Sequence, residues 1–464
     1  MTPMADKRWT WMAATVAATF LLLLPAMYNR FPLIFPDTPT YLSVAYGEYW
    51  NVDRSGFYGL FFKPLLSWAD PVAGLWIVVT VQALFIAAVL LLTIRRIWPT
   101  GPAVGALIVT LPIALLTTLP WHAGQLMPDA MTGILVLVIW LAASRDLRAP
   151  GTALLWLGAG ILALVHYTHI GLMMAVTAAI LVAGAWYGTA RREIAGRAIV
   201  AALVLTAVAG SHVAANVTTF GRWSVSPMSS LFLFARLNED GLVPRWLDRH
   251  CGRDAPIELC NLREQMPRDS QVMLWGGPKS PLTPHIHNRI GQAESWRWIE
   301  MLDHAVIGSI KEEPLAFLGF SVRAGARQFV SFAALDDECP DICRQSMIEL
   351  ARLRSELGPV ANVSRQLRGE IPKESIQRVT SAPAIVGLLL LLPFFALAIR
   401  RRDPVGASLC SAILIALLAN ALMAGALSDV HDRYQSRLVW LAPYAVLALA
   451  ARWGWFKPGR GGGR

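Results

Sequence analysis

Long apolar runs separated by short polar turns organise almost the whole chain. A membrane-spanning helix needs roughly 20 mostly apolar residues, and that pattern predicts about ten spans. They lie at 10–27, 73–94, 103–119, 132–143, 152–166, 170–188, 198–217, 382–399, 405–427 and 438–451. Two polar intervals are too long to be turns. The first covers 28–71, and the second, 218–380, is large enough to fold as a domain. The expected organisation is therefore an N-terminal membrane module over 1–217, a mostly helical outer domain over 218–380, and a C-terminal membrane module over 381–464. Inside the second interval, 314–335 is apolar enough to suggest another span. Arg323 and Arg327 lie within it, and counting it as a span would place Arg400, Arg401 and Arg402 outside, so an interfacial or re-entrant helix is expected there.

Composition agrees with this reading: 55% of the 464 residues are hydrophobic, only 16% are charged, and the mean hydropathy is +0.47. The class is an all-α polytopic membrane protein. The first run lacks a small-x-small cleavage site after Pro25, so it reads as a retained helix rather than a removed signal.

The net charge of +10 follows the topology. With the N-terminus inside, the inner turns carry Lys7 and Arg8, Arg95 and Arg96, Arg145 and Arg148, Arg191, Arg192 and Arg197, Arg400 to Arg402, and the C-terminal bases. The outer turns near 120–131 and 166–169 carry none. This is the positive-inside pattern, not the footprint of a nucleic-acid partner. The expected location is an inner membrane of bacterial type, with the long intervals facing the periplasm. Four of the five cysteines, Cys251, Cys260, Cys339 and Cys343, fall in the outer domain. An oxidising exterior favours pairing, most simply Cys251 with Cys260 and Cys339 with Cys343, over a four-thiolate zinc site of irregular spacing. Spacing does not fix the connectivity.

Unusual polar groups next to the spans all fall on the outer side. Asp37 lies in Pro36-Asp37-Thr38-Pro39-Thr40-Tyr41, with Arg54 and Lys63 behind it. Asp129 opens the fourth span, His166 and His169 end the fifth, and Asp429, His431, Asp432, Arg433, Tyr434 and Arg437 fill the link before the last. A carboxylate at the mouth of a bundle is a candidate base. It is equally a helix cap, as is Asp129. Arg433 and Arg437 break the charge rule, so they call for an anionic ligand or for Asp429 and Asp432 as partners. His166 and His169, at i and i+3, share a helical face as a divalent metal pair would require, or they finish a helix end by hydrogen bonding.

The pattern Pro-Asp-Thr-x-x-Tyr at 36–41, followed by Arg54-Ser-Gly-Phe-Tyr58, resembles the first outer loop of GT-C membrane glycosyltransferases, especially the aminoarabinose and protein-mannosyl transferase branch. Pro128-Asp129 and Asp432-Arg433-Tyr434 resemble later motifs of that superfamily. The chain departs from it in the context of the second acidic residue and in carrying a four-cysteine domain in mid-chain. The resemblance implies a GT-C-like fold that moves a sugar from a polyprenyl-phosphate donor to a lipid, glycan or protein acceptor at the outer face. Asp37 would then be the base, with Asp129 a second catalytic acid. Tyr41, Arg54, Lys63, His166, His169, His431, Asp432, Arg433, Tyr434 and Arg437 would bind substrate, with no certain cofactor beyond a possible divalent ion. Two other classes stay open: a polysaccharide polymerase or ligase that relies on loop residues such as Arg249 and His250, and a transporter or scaffold. A transporter should hold ionisable groups at mid-bilayer, where His212 is nearly alone.

Overall fold

The computed structural model describes residues 3–68, 70–286, 293–335 and 339–455. Among them the regular structure is helical, and one isolated parallel bridge joins Leu33 to Gln125. Among the described residues six helices are long and apolar enough to cross a membrane: Arg8–Asn29, Pro71–Ile97, Thr168–Trp186, Arg191–Phe220, Lys373–Arg400 and Pro404–Leu427.

The other four expected spans are helices of 12 to 14 residues, Ala103–Leu116, Ala130–Ala143, Thr152–Leu164 and Leu441–Arg452. At 1.5 Å per residue they reach only about 18–21 Å. Local chemistry explains three of the four shortfalls. Ala103–Leu116 contains Pro112 and stops at an extended Thr117, and the chain resumes as the short Leu119–Ala123 helix. Ala130–Ala143 has every residue buried, so it is enclosed by its neighbours and has no lipid face to match to a bilayer. Leu441–Arg452 is separated by a break at Trp440 from the polar helix Asp432–Val439.

The interval 218–380 does not pack as one body. Residues from Met228 to Val306 enclose a separate core around Phe234, Trp246, Leu247 and Leu302, which Val52 of the first outer interval also enters. The Cys251–Cys260 disulfide lies in this part. Cys343 is also disulfide-bonded, while the side chain of its expected partner Cys339 lies outside the described residues. Downstream, Cys343, Met347, Leu350, Leu357 and Leu367 join the core of the membrane bundle instead.

That later segment supports the loop that follows Arg8–Asn29. Asn29 Oδ1 accepts from Ser364 Oγ at 3.1 Å and from the Gln366 amide at 2.7 Å, and the Gln366 side chain bonds both backbone groups of Ile34. Ser346 Oγ donates to the carbonyl of Pro36, one residue before Asp37.

Pro314–Val330 is an amphipathic helix. It approaches Pro404–Leu427 so closely that a Cβ on Gly425 would stand 2.7 Å from the Ala324 backbone. Leu315, Leu318, Val322 and Val330 are exposed.

Candidate functional site

Two acids and three arginines form the centre of the site, and helix starts position the acids. Asp37 precedes the Thr38–Tyr46 helix and Asp129 precedes Ala130–Ala143, each at the cap position, and neither carboxylate caps its helix. Both turn instead to the Asp432–Val439 helix. Asp37 Oδ1 accepts from Arg54 Nη2 at 3.0 Å and its Oδ2 from Arg433 Nη1 at 3.2 Å. Asp129 Oδ1 accepts from Arg437 Nη1 at 2.9 Å, with both side chains 1% exposed.

The loops over 30–37 and 124–129 are stitched together, which sets the spacing of these acids. The Leu33 amide donates to the Gly124 carbonyl and the Leu126 amide to the Leu33 carbonyl, each at 2.9 Å, and Thr38 Oγ1 donates to Leu126 O. Below them Gln82, alone among apolar neighbours in Pro71–Ile97, receives the Tyr58 hydroxyl and donates to the carbonyls of Ala123 and Gln125. Asn420, similarly isolated in Pro404–Leu427, accepts from Arg437 Nη2 at 2.9 Å and donates to Tyr434 O and Gln435 Oε1. From the other side Gln328 clasps His431 through both backbone groups, at 2.7 and 2.8 Å.

Three cavities meet at Arg433. One of about 670 Å³ is bordered by Asp37, Arg54, Asn51, Gln271, Glu349 and Arg433. A second, about 350 Å³, is mainly apolar, with Tyr41, Phe232, Leu233, Met423 and Leu427 beside Arg54, Arg433 and Arg437. A third, about 400 Å³, touches Phe35, His122, Gln125, His431, Asp432 and Arg433. Arg54 lies over the Phe232 and Trp275 rings, and Arg433 lies 4.0 Å from the Phe35 ring centre, so aromatic faces fix both guanidinium groups.

Electrostatics follow from this enclosure. Burial alone would raise the Asp37 carboxyl, but Arg54 and Arg433 outweigh it and hold the group below its ordinary value. Asp129 shows the same balance under Arg433 and Arg437. Burial pushes the Tyr41 hydroxyl well up. His166 is driven well below its usual value by burial and by Arg437. His122 is pushed down to about 4 by burial, with Asp129 opposing and Arg437 reinforcing. Ser436 Oγ donates to Arg433 O, so it accepts from His122 Nε2 at 3.0 Å, which assigns the proton to that nitrogen.

The remaining candidates separate into those that line a cavity and those that do not. Tyr41, His166, His431, Asp432 and Tyr434 line at least one of the three. Asp129 lines none and lies behind Arg437, and Lys63 sits on the Phe57–Leu66 helix facing the Gly47 turn. His169 has both ring nitrogens engaged, with Thr132 Oγ1 at 2.9 Å and Leu162 O at 2.7 Å. His166 Nδ1 is taken by the amide and hydroxyl of Thr168. A divalent ion does not fit this donor set, since binding would break bonds on both imidazoles and on an arginine-paired Asp129.

Comparison with family models, curated proteins and solved structures returns no match.

Sequence reasoning missed His122, Gln82, Asn420 and Gln328. A single amide in an otherwise apolar run was a usable signal for Gln82 and Asn420. His122 and Gln328 carried none.

Proposed function

We propose that this chain is a membrane glycosyltransferase with a GT-C-like arrangement of about ten membrane helices. It moves a sugar from a polyprenyl-phosphate donor to a hydroxyl of a lipid, glycan or protein acceptor, on the side of the membrane carrying the long loops. The observation that carries the reading is the position of Asp37: its carboxylate is held by Arg54 and Arg433, which both also border the apolar cavity.

Each part of the reaction has a counterpart. The prenyl tail occupies the cavity lined by Tyr41, Phe232, Leu233, Met423 and Leu427. Arg54 and Arg433 take the donor phosphate, each charge-assisted contact contributing about 1.5–3 kcal/mol. The acceptor enters through the larger polar cavity and brings its hydroxyl to Asp37. Its oxygen bonds to the anomeric carbon, the carbon–oxygen bond to phosphate breaks, the electron pair leaves with the polyprenyl phosphate, and the proton passes to Asp37.

A carboxylate paired with two arginines is a weak base. Donor phosphate competes for the same guanidinium groups, so donor binding weakens the pairing and raises the basicity of Asp37 when it is needed.

A polymerase or ligase reading has less support. Arg249 and His250 are tied into a surface ion cluster with Glu312, Glu313 and Asp254, and neither borders the three cavities.

The test is turnover of a panel of polyprenyl-phosphate hexoses and aminopentoses by purified protein and by Asp37→Asn. The variant should lose activity by about 100-fold or more, with donor affinity retained because both arginines are freed. Wild-type protein inert toward the whole panel, or a variant as fast as wild type, would overturn the assignment.

A further inference from the structure

At the other end of the bundle a groove of about 410 Å³ opens between the end of Pro71–Ile97, the turn joining Lys373–Arg400 to Pro404–Leu427, and the end of Leu441–Arg452. Pro404–Leu427 runs from this groove toward the Asp432–Val439 helix that carries Arg433, so about 35 Å of helix separates the groove from the ion-pair site. Trp98, Thr100, Arg401, Arg402, Asp403 and Trp453 line it.

Its acid is fully engaged. Asp403 receives Arg452 through two bonds, 2.7 and 3.0 Å, and Trp453 Nε1 at 3.1 Å, while also capping the amides of Val405 and Gly406. Arg401 and Arg402 are exposed, and among the described residues neither has a carboxylate partner. Arg401 rests over the Trp453 ring at 4.8 Å. Arg402 holds φ at 50°, a conformation that glycine adopts freely and a β-carbon opposes. An arginine is therefore present at a position where the backbone prefers glycine.

The groove continues into a greasy surface. Ile399 and Trp455, each two residues along the chain from a lining residue, are exposed, Leu392 is exposed two turns earlier on Lys373–Arg400, and Phe394 stacks on Trp453. A soluble anion would use the arginines alone, whereas a lipid uses both the charge and the apolar strip.

We propose that this groove binds the headgroup of an anionic phospholipid. The phosphodiester lies between Arg401 and Arg402, and the acyl chains follow the exposed face of Lys373–Arg400. This site is separate from sugar transfer and does not depend on it.

The test is lipid retention by the full chain in mixed micelles containing equal phosphatidylglycerol and phosphatidylcholine, read by native mass spectrometry. Wild type should retain phosphatidylglycerol in preference by about tenfold or more, and Arg401→Gln/Arg402→Gln should remove the preference, while Arg148→Gln on a neighbouring turn keeps it. Arg402→Gly guards against a folding artefact: it suits the backbone better, so melting in phosphatidylcholine should rise while phosphatidylglycerol retention falls. Equal retention of both lipids by wild type, unchanged preference in the double variant, or displacement of the bound lipid by millimolar inorganic phosphate would each overturn the proposal.

Discussion

Arg433 and Arg437 stand one helical turn apart on the Asp432–Val439 helix yet serve different acids, Asp37 at 3.2 Å and Asp129 at 2.9 Å. The difference in burial separates their roles. The Arg437–Asp129 pair is 1% exposed on both sides and Asp129 lines none of the three cavities, whereas Arg433 and Asp37 keep 12% and 17% and both face cavities. Removing one member of a buried pair strands the other charge, at about 3–5 kcal/mol. Arg437→Gln should therefore lower the melting temperature steeply. Arg433→Gln should leave it closer to wild type and act mainly on donor affinity. Parallel melting curves and donor titrations of the two variants check this, and matched losses of stability would remove the distinction.

The location of these groups was legible in the sequence, but their pairing was not. Asp37 and Asp129 could be placed at helix starts because proline and polar residues precede apolar runs, and Arg433 and Arg437 stood out because they break the charge rule. Which arginine meets which acid depends on how the Asp432–Val439 helix sits against the first two outer loops, and that is set by tertiary bonds from Gln328, Gln82 and Asn420. Capping was the natural local expectation for both acids, and the arginines drew both carboxylates away. The short central helices were legible as apolar runs, but their lengths were not: Ala130–Ala143 is shielded by its neighbours, so its length answers to packing rather than to bilayer thickness.

The Pro314–Val330 helix should act on the site from a distance through Gly425. A Cβ there would meet the backbone of Ala324 and Gly325 at 2.7 to 2.9 Å, and backbone cannot move aside as a side-chain tip can. Gly425→Ala should separate the two helices and loosen the Gln328 clasp on His431, destabilising by about 1–3 kcal/mol. Faster amide exchange at 429–433 together with a lower melting temperature is the expected signature. An effect on melting alone would show that the clasp does not depend on this contact.

Stability should fall as the medium is acidified from neutrality, before the carboxylates titrate. His122 has its pKa lowered from 6.5 to about 4 by burial, so between those values the unfolded chain holds a proton that the folded chain lacks. Stability therefore rises with pH across that window, and this residue's contribution, complete above 6.5, is lost toward 4, to a total of about 3 kcal/mol. Asp37 and Asp129 also titrate low when folded, so their share is present above 3.8 and disappears only in stronger acid. His122→Gln should make the pH dependence of the melting temperature shallower between 6.5 and 4, with the likewise lowered His166 keeping part of the slope. An unchanged slope in that variant would assign the proton elsewhere.

The apolar cavity can be tested without touching a charged group. Gly171 borders it, and a Cβ placed there would lie 2.5 Å from Met423 Sδ, the tip of a flexible side chain that can swing away. Gly171→Ala should therefore be tolerated, whereas Gly171→Leu fills space where the donor tail is proposed to lie. Each methylene kept out of the cavity forfeits about 0.8 kcal/mol, so excluding two or three weakens a long-chain donor by roughly 15- to 60-fold. A donor with a truncated prenyl chain never reaches that space, so its affinity should stay near wild type. The comparison separates occupancy from general damage, because a distorted site would lose both donors alike. Equal weakening of both would place the tail outside this cavity, and a selective loss of the long-chain donor would tie Asp37, Arg54 and Arg433 to a lipid-linked phosphate.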